Sequence, residues 1–342
     1  MTYRFNIRKL GYAAAGAAFG VALLGNAVFA QNAVKMGHAM PVDHPQSRSI
    51  EKFAELADKY TDGRVKIQIY AGGTLGGDDK MLQATQAGTQ EIYYGGIEPL
   101  SGRVKEIQIF SFPFIFDNMD EVDYVYYGPV GNKVFELMKP LNLVGLGWGE
   151  VGFRQLSNNK RPVKTAEDMK GLKVRVVQNT FALEMWKAMG VNATPMSFAE
   201  VFTALETGAL DGQENPLIHM NANKMFEVQK YVTITNHVYT PSALLVSSKY
   251  WDTLKPEDQE GLRKAATEAM KFHRQVMTEA DKEVRVTLKE KGMTIDTMPP
   301  EEIAKLREMV KPVVEKFVPV VGADFAKMFY AEVEKAKKET KK

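Results

Sequence analysis

The fold is decided by Gly152–Pro216, which reads GFRQLSNNKRPVKTAEDMKGLKVRVVQNTFALEMWKAMGVNATPMSFAEVFTALETGALDGQENP. Within it, Lys173–Val177 is rich in valine and lies between Gly171 and Asn179, a pattern typical of a short buried strand. Arg175 stands in the middle of this run. Because a buried guanidinium is costly without an anion, we expect Arg175 to meet either a bound ligand or an acidic side chain of this chain. The spacing alone leaves both possibilities open.

Two polar motifs follow this strand in the sequence. Ser197 and Glu200 have the spacing of a capping box, which predicts a helix that ends near Gly208. Asp211–Pro216 then forms a turn that is rich in hydrogen-bonding groups and contains Asn215. An arginine strand, a capped helix and an amide-rich turn can together bind a carboxylate, since the guanidinium matches its charge and the amide adds a hydrogen bond.

Four motifs in this stretch resemble the signature of the substrate-binding proteins of tripartite ATP-independent periplasmic (TRAP) transporters, the DctP family. They are GFR at Gly152–Arg154, KGLKVRV at Lys170–Val176, PMSFAEVFTALETG at Pro195–Gly208 and DGQENP at Asp211–Pro216. The similarity extends from about Val34 to about Phe317. It implies a receptor outside the cytoplasm that binds a small organic carboxylate and delivers it to the small and large membrane subunits of a TRAP permease.

The order of predicted elements indicates an α/β fold. A strand, a helix and a second strand are expected between Ala33 and Tyr70, and a helical pattern runs from Pro256 to Gly292. The resemblance implies a two-lobed fold like that of periplasmic binding proteins, with a hinge, mixed sheets and a long helix that braces both lobes. Two helices with a break between them are the alternative to that single helix.

The N-terminal residues have the composition of a secretory signal peptide. Met1–Leu10 is basic, Gly11–Gly25 is uncharged and mostly apolar or small, and Val28–Ala30 ends the segment with a pattern that predicts cleavage after Ala30. We therefore expect a periplasmic protein. The chain contains no cysteine, which argues against a lipoprotein anchor and against disulfides.

Expected domain boundaries follow from the resemblance and the predicted elements. They are a signal peptide at 1–30, lobe I at 31–151 and 241–280, lobe II at 152–240 and 281–334, and a flexible lysine-rich tail at 335–342. The resemblance leaves both a monomer and a homodimer open.

Charge and glycine patterns argue against nucleic acids and nucleotides as partners. The formal net charge is +2, and residues 1–30 contribute three positive charges and no negative one, so the rest of the chain carries −1. The glycine-rich loop Gly72–Gly77 has the glycine spacing of a phosphate-binding loop. However, it is followed by Asp78 and Asp79, where that loop needs lysine and then serine or threonine. We expect neither a cofactor nor a metal.

The candidate site extends beyond Arg175 and Asn215. The resemblance implies that Arg154 assists in binding the ligand and that Phe198 packs on its apolar part. Weaker candidates for the walls or rim of the cleft are Trp148, Glu98, His38 and His237. Tyr93, Tyr94 and Trp148 favour a ligand with an apolar or aromatic portion, with packing in the core as the alternative.

Two other classes of function remain as hypotheses. The chain could be an exported enzyme that acts on an organic acid, or a module that senses one. An enzyme is not expected, because neither the G-x-S-x-G nor the H-E-x-x-H motif occurs in the sequence and no cysteine nucleophile is available. The sequence does not identify which carboxylate is bound.

Overall fold

The computed structural model describes residues 33–340. The predicted signal peptide at 1–30 lies outside these residues. No helix in the described part of the chain is both long enough and apolar enough to cross a membrane.

Strands form the framework of the described part of the molecule. They are β1 (Val34–Gly37), β2 (Ile67–Tyr70), β3 (Ile92–Gly96), β4 (Leu143–Phe153), β5 (Gln155–Asn158), β6 (Lys173–Val176), β7 (Asn192–Pro195), β8 (Gly212–Asn215), β9 (Tyr231–Ile234), β10 (Tyr239–Ser247) and β11 (Thr294–Thr297). Every residue of β10 is buried, as expected for a strand covered on both faces.

The strands form two mixed sheets, and we call the part of the molecule built on each sheet a lobe. The first sheet has the order β2-β1-β3-β10-β4, and the second has the order β11-β9-β5-β8-β6-β7. In the first sheet β1 runs parallel to β2 and β3, whereas β10 is antiparallel to β3 and β4. In the second sheet β6 runs parallel to β7 and β8, whereas β5 is antiparallel to β8 and β9. The predicted α/β fold with two lobes and mixed sheets is confirmed.

The chain crosses between the two sheets next to the cavity that is described in the next subsection. It leaves β4 of the first sheet, passes through Arg154 and enters β5 of the second. It returns from β9 to β10 through residues 235–238. The backbone N–H of Arg154 donates a 2.9 Å hydrogen bond to the carbonyl of Val238, so the two crossing segments are joined to each other.

Helices cover the sheets. They are α1 (Pro45–Tyr60), α2 (Asp78–Ala87), α3 (Met119–Tyr126), α4 (Pro129–Met138), α5 (Thr180–Ala188), α6 (Val201–Glu206), α7 (Leu217–Ala222), α8 (Ser248–Trp251), α9 (Pro256–Glu290), α10 (Pro300–Val321) and α11 (Ala323–Glu339).

The long helix α9 is one continuous element of 35 residues, which corresponds to a length of roughly 52 Å. Pro256 begins it at a position that needs no backbone donor, and the acidic Glu257 and Asp258 lie in its first turn. Its first half packs into the core of the first lobe, through residues such as Leu262 and Ala269. Its second half packs into the second lobe, through residues such as Leu288. The predicted brace across both lobes is therefore confirmed, and the break is not observed.

The C-terminal residues differ from the sequence-based expectation of a tail that begins at residue 335. Helix α11 continues to Glu339, and Ala336 within it is fully buried. Lys335 pairs with Glu332 one turn earlier, and Lys337 pairs with Asp117. The lysine-rich composition suggested a solvated segment, but one apolar position per turn is enough to keep this helix on the core.

Candidate ligand-binding site

A cavity lies between the two lobes. It is at the carboxyl ends of parallel strands from both sheets, the place where open α/β sheets bind ligands. Five of the eight predicted site residues line it, namely Arg175, Asn215, Arg154, Phe198 and Glu98.

Arg175 is held in place by a backbone carbonyl and not by an acidic side chain. It lies on β6 with 4% of its surface exposed, and its Nε and Nη2 donate hydrogen bonds of 2.9 and 2.8 Å to the carbonyl of Met196. Burial and the positive charge of Arg154 lower the pKa of Arg175 to about 10, so it remains charged at neutral pH. Among the described residues, no carboxylate forms an ion pair with it.

Arg154 also lines the cavity, but its charge is neutralised within the chain. Its Nε donates to one carboxylate oxygen of Glu214, and its Nη2 donates to the other at 2.9 Å. Both side chains are almost fully buried. Burial alone would raise the pKa of Glu214, but the charge of Arg154 and the hydrogen bonds from His237 and Arg154 hold this pKa at about 2. The internal acidic partner considered for Arg175 is therefore found on Arg154.

Asn215 is oriented by a chain of side-chain hydrogen bonds. Its Oδ1 accepts from Arg154 at 3.1 Å, and its Nδ2 donates to Gln213 at 2.6 Å. Gln213 donates to Ser157, which in turn donates to Gln229. An amide nitrogen carries two protons, so Asn215 keeps one donor after these contacts, and it lines the cavity.

An acidic wall, formed by Asp78 and Glu98, lines the same cavity. Burial raises the pKa of Glu98 to about 7 and the pKa of Asp78 to about 6. The hydroxyl of Tyr93 donates a 2.8 Å hydrogen bond to Asp78 and so fixes its orientation. The two carboxyl groups come from the first lobe, whereas Arg175 and Asn215 come from the second.

The aromatic candidates are part of the core, so the expectation that Trp148 faces the ligand is wrong. Trp148 is 3% exposed and stacks on Phe135 with ring centroids 4.4 Å apart. Tyr93 and Tyr94 are fully buried, and the hydroxyl of Tyr94 accepts a hydrogen bond from Ser242. A strand end that is rich in aromatics cannot be assigned to core or cavity from sequence, because alternation places neighbouring side chains on opposite faces.

The two histidine candidates lie behind the cavity and do not line it. His38 is fully buried at the end of β1, and burial lowers its pKa to about 4. His237 is hydrogen-bonded to Glu214 at 3.3 Å and to Thr235 at 2.8 Å. Burial lowers its pKa, which Glu214 partly offsets. His237 therefore orients the carboxylate that neutralises Arg154 and has no direct place in the cavity wall.

Sequence reasoning missed four polar residues that line the cavity, namely Gln46, Asp78, His219 and Thr240. The sequence analysis used Asp78 only as evidence against a phosphate-binding loop, although its position just after a glycine loop that follows a strand was a usable signal. His219 lies on α7, three residues after the Asp211–Pro216 turn. Burial lowers its pKa to about 3, so its imidazole is neutral.

The predicted capping box is not formed. Ser197 makes no capping hydrogen bond, and the residues after it form a single 3₁₀ turn before α6 begins at Val201. The Ser197 hydroxyl donates instead to Asp79 of the first lobe at 3.3 Å. The motif therefore predicted the start of a helix but not the partner of the serine.

Comparison with known proteins agrees with this geometry. Residues 36–319 match the DctP model, described as bacterial extracellular solute-binding protein, family 7. The crystal structure of the sugar acid binding protein DctPAm from Advenella mimigardefordensis in complex with galactonate is 35% identical and superposes with a TM-score of 0.87, covering 89% of this chain and 98% of that one.

Two further relatives support the same assignment. The C4-dicarboxylate-binding periplasmic protein DctP of Rhodobacter capsulatus is 30% identical over 93% of this chain and 96% of its own length. A TRAP periplasmic solute-binding protein from Polaromonas, bound to D-erythronate, is 33% identical with a TM-score of 0.83, covering 87% of this chain and 98% of that one. This chain therefore belongs to the DctP family of solute-binding proteins, the receptors of TRAP transporters.

Proposed function

We propose that the cavity binds one small organic acid, with the carboxylate of the acid on Arg175 and Asn215. The observation that carries this proposal is the unpaired charge of Arg175 beside a paired Arg154. A buried cation without an anion is unfavourable, and a carboxylate ligand supplies two acceptors that match the fork of a guanidinium. Arg154 then contributes a fixed donor at the edge of the site, and its net charge is already balanced by Glu214.

The acidic wall favours a hydroxylated monocarboxylate. A ligand hydroxyl can donate to Asp78 or Glu98, whereas a second carboxylate on the ligand would meet two buried acidic groups. The solved relatives include proteins bound to galactonate and to D-erythronate, which are acids of this type. The sugar acids are therefore the substrate class that the cavity fits best, and the aromatic residues that suggested an aromatic ligand are in the core.

The receptor is proposed to act outside the cytoplasm and to transfer its ligand to the small and large subunits of a TRAP permease. Cleavage after Ala30 would release it into the periplasm, because residues 1–30 have the charge and apolar pattern of a signal peptide. Sequencing the N-terminus of the exported protein tests this point and should begin at Gln31. A retained Met1 would contradict it.

A screen of organic acids by thermal shift tests the proposed substrate class. We expect galactonate or D-erythronate to raise the melting temperature, because a ligand at about 100 times its Kd stabilises the folded state by roughly 2.7 kcal/mol. Succinate should produce a much smaller shift, and Glu98→Gln should reduce the difference between the two kinds of acid.

Three outcomes would contradict this assignment. A shift with succinate as large as that with the hydroxylated acids would show that the acidic wall does not select the ligand. Conversion of an added acid to a product, followed by NMR, would favour the exported enzyme over the receptor. Binding without any loss of uptake in a deletion strain would favour the sensing module.

Substitution of Arg175 tests the carboxylate clamp. Arg175→Ala should weaken binding of the best acid from the screen by about 3 kcal/mol or more, since one partner of a buried charge pair is removed. Arg175→Lys should also bind poorly, because an ammonium cannot reproduce two parallel hydrogen bonds. Calorimetry measures both, with the exposed Arg103 replaced by alanine as the control. Unchanged affinity in Arg175→Ala would exclude the clamp.

The pairing of Glu214 with Arg154 predicts a loss of stability in acid. Because the folded pKa of Glu214 is about 2 and its usual value is 4.5, the pair stabilises the fold fully above about pH 4.5. This stability is lost as the pH falls towards 2, and it amounts to roughly 3 kcal/mol. Denaturant unfolding at several pH values should show that Glu214→Gln is destabilised at pH 7 and lacks this acid-dependent step.

Glu136→Gln is the matched control for that experiment. Glu136 pairs with Lys139 on the surface, where both side chains are largely exposed, so its loss should change the free energy of unfolding by less than about 1 kcal/mol. Equal effects of Glu214→Gln and Glu136→Gln would contradict the role assigned to the buried pair.

A further inference from the structure

The two lobes also meet just outside the cavity, at Gly77 and Ser197. Gly77 is buried and directly precedes α2 in the first lobe, and Ser197 follows β7 in the second. A Cβ atom on Gly77 would lie 2.4 Å from the hydroxyl oxygen of Ser197 and 3.7 Å from its Cβ. The first distance is shorter than real Cβ atoms tolerate, so a side chain at position 77 requires the Ser197 hydroxyl, which is bonded to Asp79, to move. We call this approach the Gly77–Ser197 contact.

A hydrogen bond ties the same two segments together. Ser197 Oγ donates to Asp79 Oδ1 at 3.3 Å. This serine has no capping role in its own lobe, since it makes no side-chain capping hydrogen bond. The contact therefore uses a side chain that local helix formation leaves available.

The residues on each side of the contact belong to the ligand cavity. Asp78, next to Gly77, is part of the acidic wall, and Phe198, next to Ser197, lines the opposite side. On the other side of Ser197, the carbonyl of Met196 holds Arg175. The contact therefore lies between the acidic wall and the segment that orients the guanidinium.

We propose that Gly77 and Ser197 are positioning residues that set the spacing of the two cavity walls when the lobes close on a ligand. Neither residue lines the cavity, and both act through their neighbours Asp78, Met196 and Phe198. The inference rests on the proposed function, because the spacing matters only if both walls contact one ligand. A side chain at position 77 holds the walls apart and weakens binding without removing any group from the cavity.

A cysteine pair tests whether the lobes meet at this point, without the need for a ligand. The chain has no cysteine of its own, and the 3.7 Å separation between a Cβ at position 77 and the Cβ of Ser197 is within the range of disulfides. We expect the double variant Gly77→Cys/Ser197→Cys to form a disulfide on mild oxidation, measured by gel mobility and loss of free thiols.

The control pair is Gly102→Cys/Ser197→Cys. Gly102 follows β3 in the first lobe, and no atom lies within 4 Å of a Cβ built on it. The disulfide at 77 and 197 should form at least about tenfold faster than the control disulfide, as the geometry of the pair requires. Equal rates for the two pairs would overturn the inference.

Alanine substitutions test the effect on binding and provide a second route if the cysteine pair does not fold. Gly77→Ala should weaken binding of galactonate, the probe, by about tenfold. The atom that an added Cβ meets at 2.4 Å is the Ser197 hydroxyl, so Gly77→Ala should have a much smaller effect in a Ser197→Ala background. Gly102→Ala should bind galactonate like the wild type.

The outcomes separate this inference from the proposed function. Failure of the wild type to bind galactonate would count against the proposed substrate class, and the disulfide rates would still decide whether the lobes meet at Gly77 and Ser197. Normal galactonate binding in Gly77→Ala, or an equal loss with and without the Ser197 hydroxyl, would overturn the positioning role.

Discussion

Two buried arginines, Arg154 and Arg175, line one cavity. The carboxylate of Glu214 pairs with Arg154, so Arg175 is the one available to a ligand. Glu214 is held between Arg154 and His237, and it balances the charge of Arg154 inside the protein. Among the described residues, the guanidinium of Arg175 donates its hydrogen bonds to the carbonyl of Met196, which accepts them but carries no full charge. Because a charge removed from water is unfavourable without a counter-ion, binding of an anion at Arg175 is favourable.

The fold places the basic wall and the acidic wall of the cavity on different lobes. The second lobe supplies Arg175 and Asn215, and the first supplies Asp78 and Glu98. A ligand that contacts both walls holds the lobes together, since only the closed arrangement satisfies both of its ends. The crossing segments and α9 join the lobes, and the proposed closure would be a movement about these few connections. Binding and the approach of the lobes are therefore one event in this account.

Local pattern predicted much of the fold and part of the site. The strand around Arg175 could be predicted because it is rich in valine, and the helix from Pro256 because its apolar residues recur with helical periodicity. The ion pair of Arg154 with Glu214 was not, because its members are 60 residues apart and become neighbours only through the pairing of β5 with β8. The position of Trp148 was equally unreadable, since its stacking partner Phe135 comes from a separate helix. Contacts between residues that are far apart in the chain could not be predicted from the single sequence.

The proposed position of the ligand at Arg175 is tested most directly by a crystal structure of the protein with a bound hydroxylated acid, galactonate being the first choice. We expect both carboxylate oxygens of the acid to lie within hydrogen-bond distance of Arg175, Asn215 to donate to one of them, and Arg154 to remain paired with Glu214. A carboxylate bound elsewhere in the cavity, or an Arg175 that has turned to Glu214, would contradict this expectation.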